Sequence, residues 1–290
     1  MAAVTLTDEL AGLVRRTASS LPGDVEAALR RAARRESGQG PARMVLKTIL
    51  DNAACARRAG VPLCQDTGTL AFYIDERLKR RATPQAVRAA VARATAQGCL
   101  RKNCIDAVDG RSYDDNCACG APVIHYVPCG DPSSPAAISL LMKGGGSENM
   151  SRQYSLPDSE LGAGRDLAGV RACLLDAVAK AQGYGCAPGI LGVCIGGDRA
   201  TGYAVAKEQL LRDLGDSSPD SRLAALERRV LREANTLGIG PMGLGGRTTL
   251  LGVKIAARAR VPASFFVTVA YMCWACRRGR LEFPAKGGRK

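Results

Sequence analysis

The sequence predicts an α/β fold, on three observations. Short apolar runs bounded by Gly and Pro turns recur at 70–74, 123–127, 136–142, 190–195, 250–255 and 265–271. Each has the length and bounding of a buried strand. Between them lie stretches with helical periodicity opened by capping residues. The chain has 290 residues and is 46% hydrophobic, enough for a sizeable core.

Residues 1–60 read as three helices. Thr7 is the expected cap of the first, with Asp8 and Glu9 in its first turn. Asp24 is the expected cap of the second, which ends near Glu36-Ser37-Gly38. The third covers 42–59, carries Val45, Ile49 and Ala53 at helical spacing, and stops at Gly60. Cys55 is expected in its packed face. These helices read as a scaffold that delivers the turn after Gly60.

Thr83-Pro84 is an N-cap followed by proline at the first helical position, so a helix runs to about Gln97. Residues 104–120 are turn-rich, with Cys104, Cys117 and Cys119. Asp166 caps a helix ending near Gly183, and Cys173 inside it is expected in the core. Further helices cover about 200–214 and the stretch up to Thr236. The basic tail 277–290 is expected to fray.

The formal net charge is +14, but aromatics are only 4% and the basic residues are scattered. No basic-aromatic alternation is present to stack bases, so nucleic-acid binding ranks below an enzyme. No leader and no membrane span is read in the chain, so the expectation is a cytoplasmic protein away from membranes. Twelve cysteines in a reducing compartment are buried thiols, metal ligands or both. Cys117-x-Cys119 and Cys273-x-x-Cys276 each supply half a zinc site. A zinc-dependent nucleic-acid-binding protein is therefore the rival reading from another class. His125 is the single histidine. Any histidine acid-base role in the chain falls to it; the ordinary reading is a strand histidine bonded to backbone.

The densest chemistry lies in Pro62-Leu63-Cys64-Gln65-Asp66-Thr67-Gly68-Thr69. Pro62 disfavours helix before the cysteine, and Gly68 permits a backbone conformation closed to most residues. Such a turn aims a thiol, an amide, a carboxylate and hydroxyls at one spot; the same spacing also fits an ordinary polar loop. Lys143-Gly144-Gly145-Gly146-Ser147-Glu148-Asn149 follows a buried strand, where glycine amides converge on anions. Cys186-Ala187-Pro188-Gly189 repeats the pattern of a cysteine in a Pro/Gly turn beside a strand. The stretch 238–249 is a second glycine-rich loop, without the Gly-Lys-Ser/Thr ending of a phosphate loop.

Together with Cys273-Trp274-Ala275, these ordered motifs resemble class I (iron–sulfur) fumarate hydratases and L-tartrate dehydratases. The resemblance covers the chain from about the third helix onward and is closest to the separate α subunit of the two-subunit enzymes. It implies mixed sheets flanked by helices, of the cluster-binding N-terminal type, as one domain over 1–290. The helical scaffold is roughly 1–60 and the α/β part roughly 61–290.

The resemblance also implies a [4Fe–4S] cluster held by Cys64, Cys186 and Cys273, with one open iron. Gln65 and Asp66 would contact substrate, and Asp66 is the candidate proton donor. Thr67, Arg101 and the backbone of Gly144, Gly145 and Gly146 would hold the carboxylates of a small dicarboxylate. Catalytic residues of the family's C-terminal domain are missing, which implies a β subunit and an α2β2-type hetero-oligomer. The reaction implied is fumarate to L-malate, with tartrate to oxaloacetate as the alternative. The chain departs from the family at Asp115-Asn116-Cys117-Ala118-Cys119-Gly120-Ala121-Pro122. It departs again at Val261-Pro262-Ala263-Ser264, where the family often has His-Pro-Ala-Ser.

Overall fold

A computed structural model of the chain describes residues 4–36, 38 and 40–284. The expected end of the second helix at Ser37 and the last residues of the basic tail, 285–290, lie outside the described residues.

The helices are α1 (Leu6–Ser19), α2 (Gly23–Arg35), α3 (Pro41–Ala59), α4 (Pro84–Ala96), α5 (Gly145–Asn149), α6 (Leu167–Ala181), α7 (Arg199–Gln209) and α8 (Ser221–Ala234). The strands are β1 (Thr69–Asp75), β2 (Cys104–Ile105), β3 (Ser112–Tyr113), β4 (Val123–Val127), β5 (Ala136–Lys143), β6 (Arg152–Ser155), β7 (Gly189–Gly196), β8 (Leu250–Arg258), β9 (Phe266–Met272) and β10 (Arg277–Phe283). The fold is mixed α/β, as the sequence predicts.

Contacts divide the chain into two compact units. Unit 1 comprises Met1–Pro22, Asn52–Gly144 and Arg277–Lys290; unit 2 comprises Gly23–Asp51 and Gly145–Cys276. The helices of 1–60 are thus shared out: α1 belongs to unit 1, α2 to unit 2, and the boundary falls inside α3.

Unit 1 is built on a four-stranded sheet in the order β10-β5-β1-β4. β1 runs parallel to β4 and antiparallel to β5, and β10 is antiparallel to β5. Leu10, Leu13 and Val14 of α1 and Val87, Ala90 and Val91 of α4 pack with Leu70, Phe72, Ile138, Leu140 and Met142 in one core. The cap of α1 lies two residues before the expected one. Thr5 caps it because Asp8 stands three residues on and returns a bond to the Thr5 amide, a reciprocal capping box. Thr83 caps α4 through the Ala86 amide, as expected.

Unit 2 carries a second mixed sheet in the order β6-β9-β7-β8, with β7 and β8 parallel. Its core joins Val170, Leu174 and Val178 of α6 and Leu226 and Val230 of α8 to Leu191, Val193, Val253, Val267 and Val269. Asp166 caps α6 through the Gly169 amide, as expected. Cys173 and Cys194 are fully buried, and burial raises their thiols to about 12 and about 11. Both are inert core thiols.

Two expectations are corrected. Cys55 is exposed, because the apolar stripe of α3 is Leu46, Ile49, Ala53 and Ala56 and leaves it on the outer face. The basic tail does not fray over 277–283: it forms β10, an edge strand registered on β5 from Arg277↔Met142 to Phe283↔Ala136. No helix among the described residues is long and apolar enough to cross a membrane.

Phe72 is 0% exposed at the centre of the unit 1 core. Phe72→Ala is expected to lower unfolding stability by about 3–5 kcal/mol in denaturant titrations.

Candidate functional site

One end of the unit 1 sheet gathers four segments. β1 starts and β5 finishes there, at the pair Thr69↔Lys143, and β10 starts beside them at Arg277↔Met142. The turn 64–68 enters β1 at this end. It is anchored from both sides: the Leu63 amide donates to the Ala18 carbonyl at the end of α1, and Asn52 Nδ2 of α3 donates to the Leu63 carbonyl at 3.0 Å.

Gly68 has φ +71°, and a Cβ there would collide with the Lys143 carbonyl. Only glycine brings the turn this close to the end of β5. Inside the turn, the Asp66 amide donates to Cys64 Sγ at 3.4 Å and the Gly68 amide donates to Asp66 Oδ1 at 2.9 Å. Cys64 and Asp66 are half-buried and Gln65 is exposed. Asp66 Oδ2 faces Gly144, where a Cβ would stand 2.8 Å from it. The bare Cα of Gly144 therefore lies against the carboxylate.

The fourth segment is 101–104. Thr67 is buried, and its hydroxyl donates to the Arg101 carbonyl at 2.8 Å. Thr67 is thus turned inward as a support for Arg101. Asn103 Nδ2 donates to Asp66 Oδ1 at 3.2 Å. The Arg101 side chain is exposed, and among the described residues it has neither an ion-pair nor a hydrogen-bond partner. The backbone is fixed while the guanidinium is available.

Asn116 holds this segment in place. It is 3% exposed with φ +59°. Its Oδ1 accepts from the Asn103 and Cys104 amides, both at 3.1 Å, and its Nδ2 donates to the Arg101 carbonyl and Thr95 Oγ1, both at 3.1 Å. The segment where the sequence departs from the family therefore supplies the residue that ties Arg101 and Asn103 down. Burial, with Asp115 beside them, pushes the Cys104 and Cys117 thiols up. His125 stacks on Tyr73, centroids 4.9 Å apart, as an ordinary strand histidine.

In unit 2, Cys186 and Cys273 come together around Tyr271. The Trp274 amide donates to the Cys186 carbonyl at 3.1 Å. Tyr271 is 1% exposed, and a Cβ at Gly185 or Gly189 would collide with its ring. The turn 185–189 thus packs closely on the phenol at both of its ends. Burial first, then Cys273 and Cys186 nearby, raises the Tyr271 hydroxyl far above its ordinary range, so it stays a neutral phenol. Cys186 itself has φ +50°. A non-glycine residue in that region costs on the order of 1–3 kcal/mol and is characteristic of functional turns.

The glycine-rich loop 238–249 backs this turn. The Met242 amide donates to the Ala187 carbonyl, and the Gly189 amide donates to the Thr249 carbonyl, both at 2.9 Å. Gly145 and Gly146 are exposed and open the five-residue helix α5 of unit 2, whereas Gly144 is buried in unit 1. Val261 is 65% exposed and carries no group that substitutes for a histidine. Among the described residues no set of three or more His, Cys, Asp or Glu side chains forms a ready-made metal group. The thiol pair Cys186 and Cys273 and the turn thiol Cys64 are nonetheless the donor types that iron–sulfur clusters take.

The family model described as fumarate hydratase (Fumerase) matches residues 7–282, so the chain belongs to that family. It is 44% identical over 278 residues to a protein of Geobacillus stearothermophilus named as a class I fumarate hydratase, covering 94% of this chain and 54% of that one. The chain thus spans about half the length of that relative. It is 32% identical to a Methanocaldococcus jannaschii protein named as an L(+)-tartrate dehydratase subunit alpha, with 97% and 99% covered. It is 30% identical to the L(+)-tartrate dehydratase subunit alpha of Escherichia coli (strain UTI89 / UPEC), with 97% and 91% covered.

Asn103, Asn116 and Arg277 are not among the site residues expected from the sequence. Asn116 has a local signal, an Asp-Asn pair in a turn-rich stretch, where Asn is favoured at positive φ. Asn116→Ala leaves the Asn103 and Cys104 amides without their acceptor. Hydrogen exchange at those two amides is expected to speed up about fivefold, since each bond contributes about 1 kcal/mol. Unchanged exchange would show that the segment is held by other contacts.

Proposed function

We propose that this chain is the α subunit of a two-subunit iron–sulfur hydro-lyase that interconverts fumarate and L-malate. The observation that carries the reading is the Asp66 carboxylate, held by the Gly68 amide and Asn103 against the bare Cα of Gly144. Arg101 is presented on the segment that supplies Asn103.

Dehydrating a 2-hydroxy diacid requires a better leaving group than hydroxide and a base for a barely acidic C–H. Cys64, Cys186 and Cys273 would hold a [4Fe–4S] cluster, whose open iron would supply a Lewis acid for the hydroxyl. Arg101 takes one carboxylate through its fork of donors. Asp66 gives a proton to the departing hydroxyl, and in hydration takes one from water. The Asn103 and Gly68 bonds fix one carboxylate oxygen and leave the other toward Gly144. Gln65, exposed beside Asp66, orients the substrate hydroxyl. Thr67 acts through Arg101 by holding its carbonyl.

No group for C–H abstraction is assigned in this chain, and we place that base on a β subunit in an α2β2-type assembly. The relatives matched almost end to end are named as α subunits, which supports a partner. The two units act together as one family domain, a reading supported by a family match reaching from residue 7 to residue 282. A cytoplasmic location goes with this assignment.

Those same relatives support the second reading, an L-tartrate dehydratase α subunit that yields oxaloacetate. An assay of the anaerobically purified complex against both substrates separates the two. Fumarate hydration is expected to exceed tartrate dehydration at least about tenfold. Asp66→Asn is expected to lower kcat by about 10²–10⁴ with iron content unchanged. Preference for tartrate would establish the second reading. Turnover of neither by the iron-loaded complex, or robust turnover by this chain alone, would overturn the respective parts of the proposal.

A further inference from the structure

Arg277 opens β10 with its side chain 1% exposed. Among the described residues it has no ion-pair partner, and its Nε has no hydrogen-bond partner. The Asp66 carboxylate lies across Gly144 and offsets part of the guanidinium charge, but the Nε donor is left unmet, which is costly in a buried group and marks a place for a further acceptor. The position says where that acceptor enters. A Cβ on Gly144 would stand 3.8 Å from Arg277 Nη2 and 2.8 Å from Asp66 Oδ2. The guanidinium therefore ends at the same bare Cα that the Asp66 carboxylate faces.

A second orphaned group lies on the same side. Thr17 of α1 is 3% exposed, and its Oγ1 has no partner. It sits over Gly279, where a Cβ would collide with it. Residues 277 and 279 project to one face of the strand. The start of β10 thus holds a buried guanidinium and a buried hydroxyl, both with unused donors, on one face.

We propose that Arg277 is a substrate-binding residue, a second carboxylate anchor of unit 1 that takes one end of a diacid while Arg101 takes the other. The carboxylate enters from the Gly144 side and is held by the guanidinium. That the anion is a carboxylate of a substrate diacid rests on the reading of the chain as a hydro-lyase; that an anion binds here does not.

The test is calorimetric binding to the full chain in complex with its partner subunit. The probes are succinate, a diacid that cannot be dehydrated, and butyrate, its monoacid counterpart. The wild type is expected to prefer succinate at least tenfold. In Arg277→Gln that preference falls to near unity while butyrate affinity is kept, and in Arg277→Lys it falls part-way. An undiminished preference in either folded variant would overturn the proposal. So would failure of both to fold, which would make Arg277 structural. Diacid preference that depends on Arg277, without turnover of fumarate or tartrate, would overturn the hydro-lyase reading and keep the anion site. Turnover with a preference indifferent to Arg277 would do the reverse.

Discussion

The architecture of unit 1 depends on one close approach, that of the Gly68 backbone to the Lys143 carbonyl at the end of β5. A side chain at 68 would push the turn off the sheet. With glycine there, the Thr69↔Lys143 pair closes the ladder, and the turn 64–68 is held at its mouth. The Leu63 amide on Ala18 and Asn52 on the Leu63 carbonyl then fix the approach from the helical side. Asp66 does not choose its position freely: its carboxylate is oriented by the Gly68 amide and Asn103, both on segments already pinned. Such pre-orientation separates a site from a polar loop, because reacting groups a fraction of an ångström out of place lose most of their effect.

Unit 2 solves a similar problem with a different device. There the rigid element is the ring of Tyr271, buried and kept neutral, around which the turn 185–189 closes without room for a side chain at Gly185 or Gly189. The closure places Cys186 at φ +50° and draws its carbonyl to the Trp274 amide one residue after Cys273. The backbone strain at Cys186 is small against the burial that maintains it.

Local signals were legible in the sequence. Thr83-Pro84 and Asp166 mark helix starts that the structure confirms, since caps act within a single turn. The strand runs at 123–127 and 190–195 are also where the structure has strands, with the second extended by one residue at each end. Long-range pairing was less legible. β10, Arg-Arg-Gly-Arg-Leu-Glu-Phe, has the composition of a solvated tail and becomes a strand because the edge of β5 accepts it. Cys55 shows the same limit, since the spacing that makes α3 a helix does not state which stripe faces inward. The motif residues of the turns could be named from resemblance, but their roles could not. Thr67 looks like a ligand-facing hydroxyl and is a buried support. Asn116 looks like a turn residue and holds the Arg101 segment. Such distinctions depend on which partner lies across space, and one chain read in order does not contain that.

The proposed function requires three thiols, Cys64, Cys186 and Cys273, to bind one iron–sulfur cluster. Anaerobic reconstitution of the full chain, followed by iron and acid-labile sulfide analysis with Mössbauer spectroscopy, tests this most directly. The wild type and the exposed-thiol control Cys55→Ser should each hold about four irons and four sulfides. Cys64→Ser, Cys186→Ser and Cys273→Ser should each lose them. Zinc without sulfide in the wild type, or full iron and sulfide retained in any of those three variants, would contradict the account.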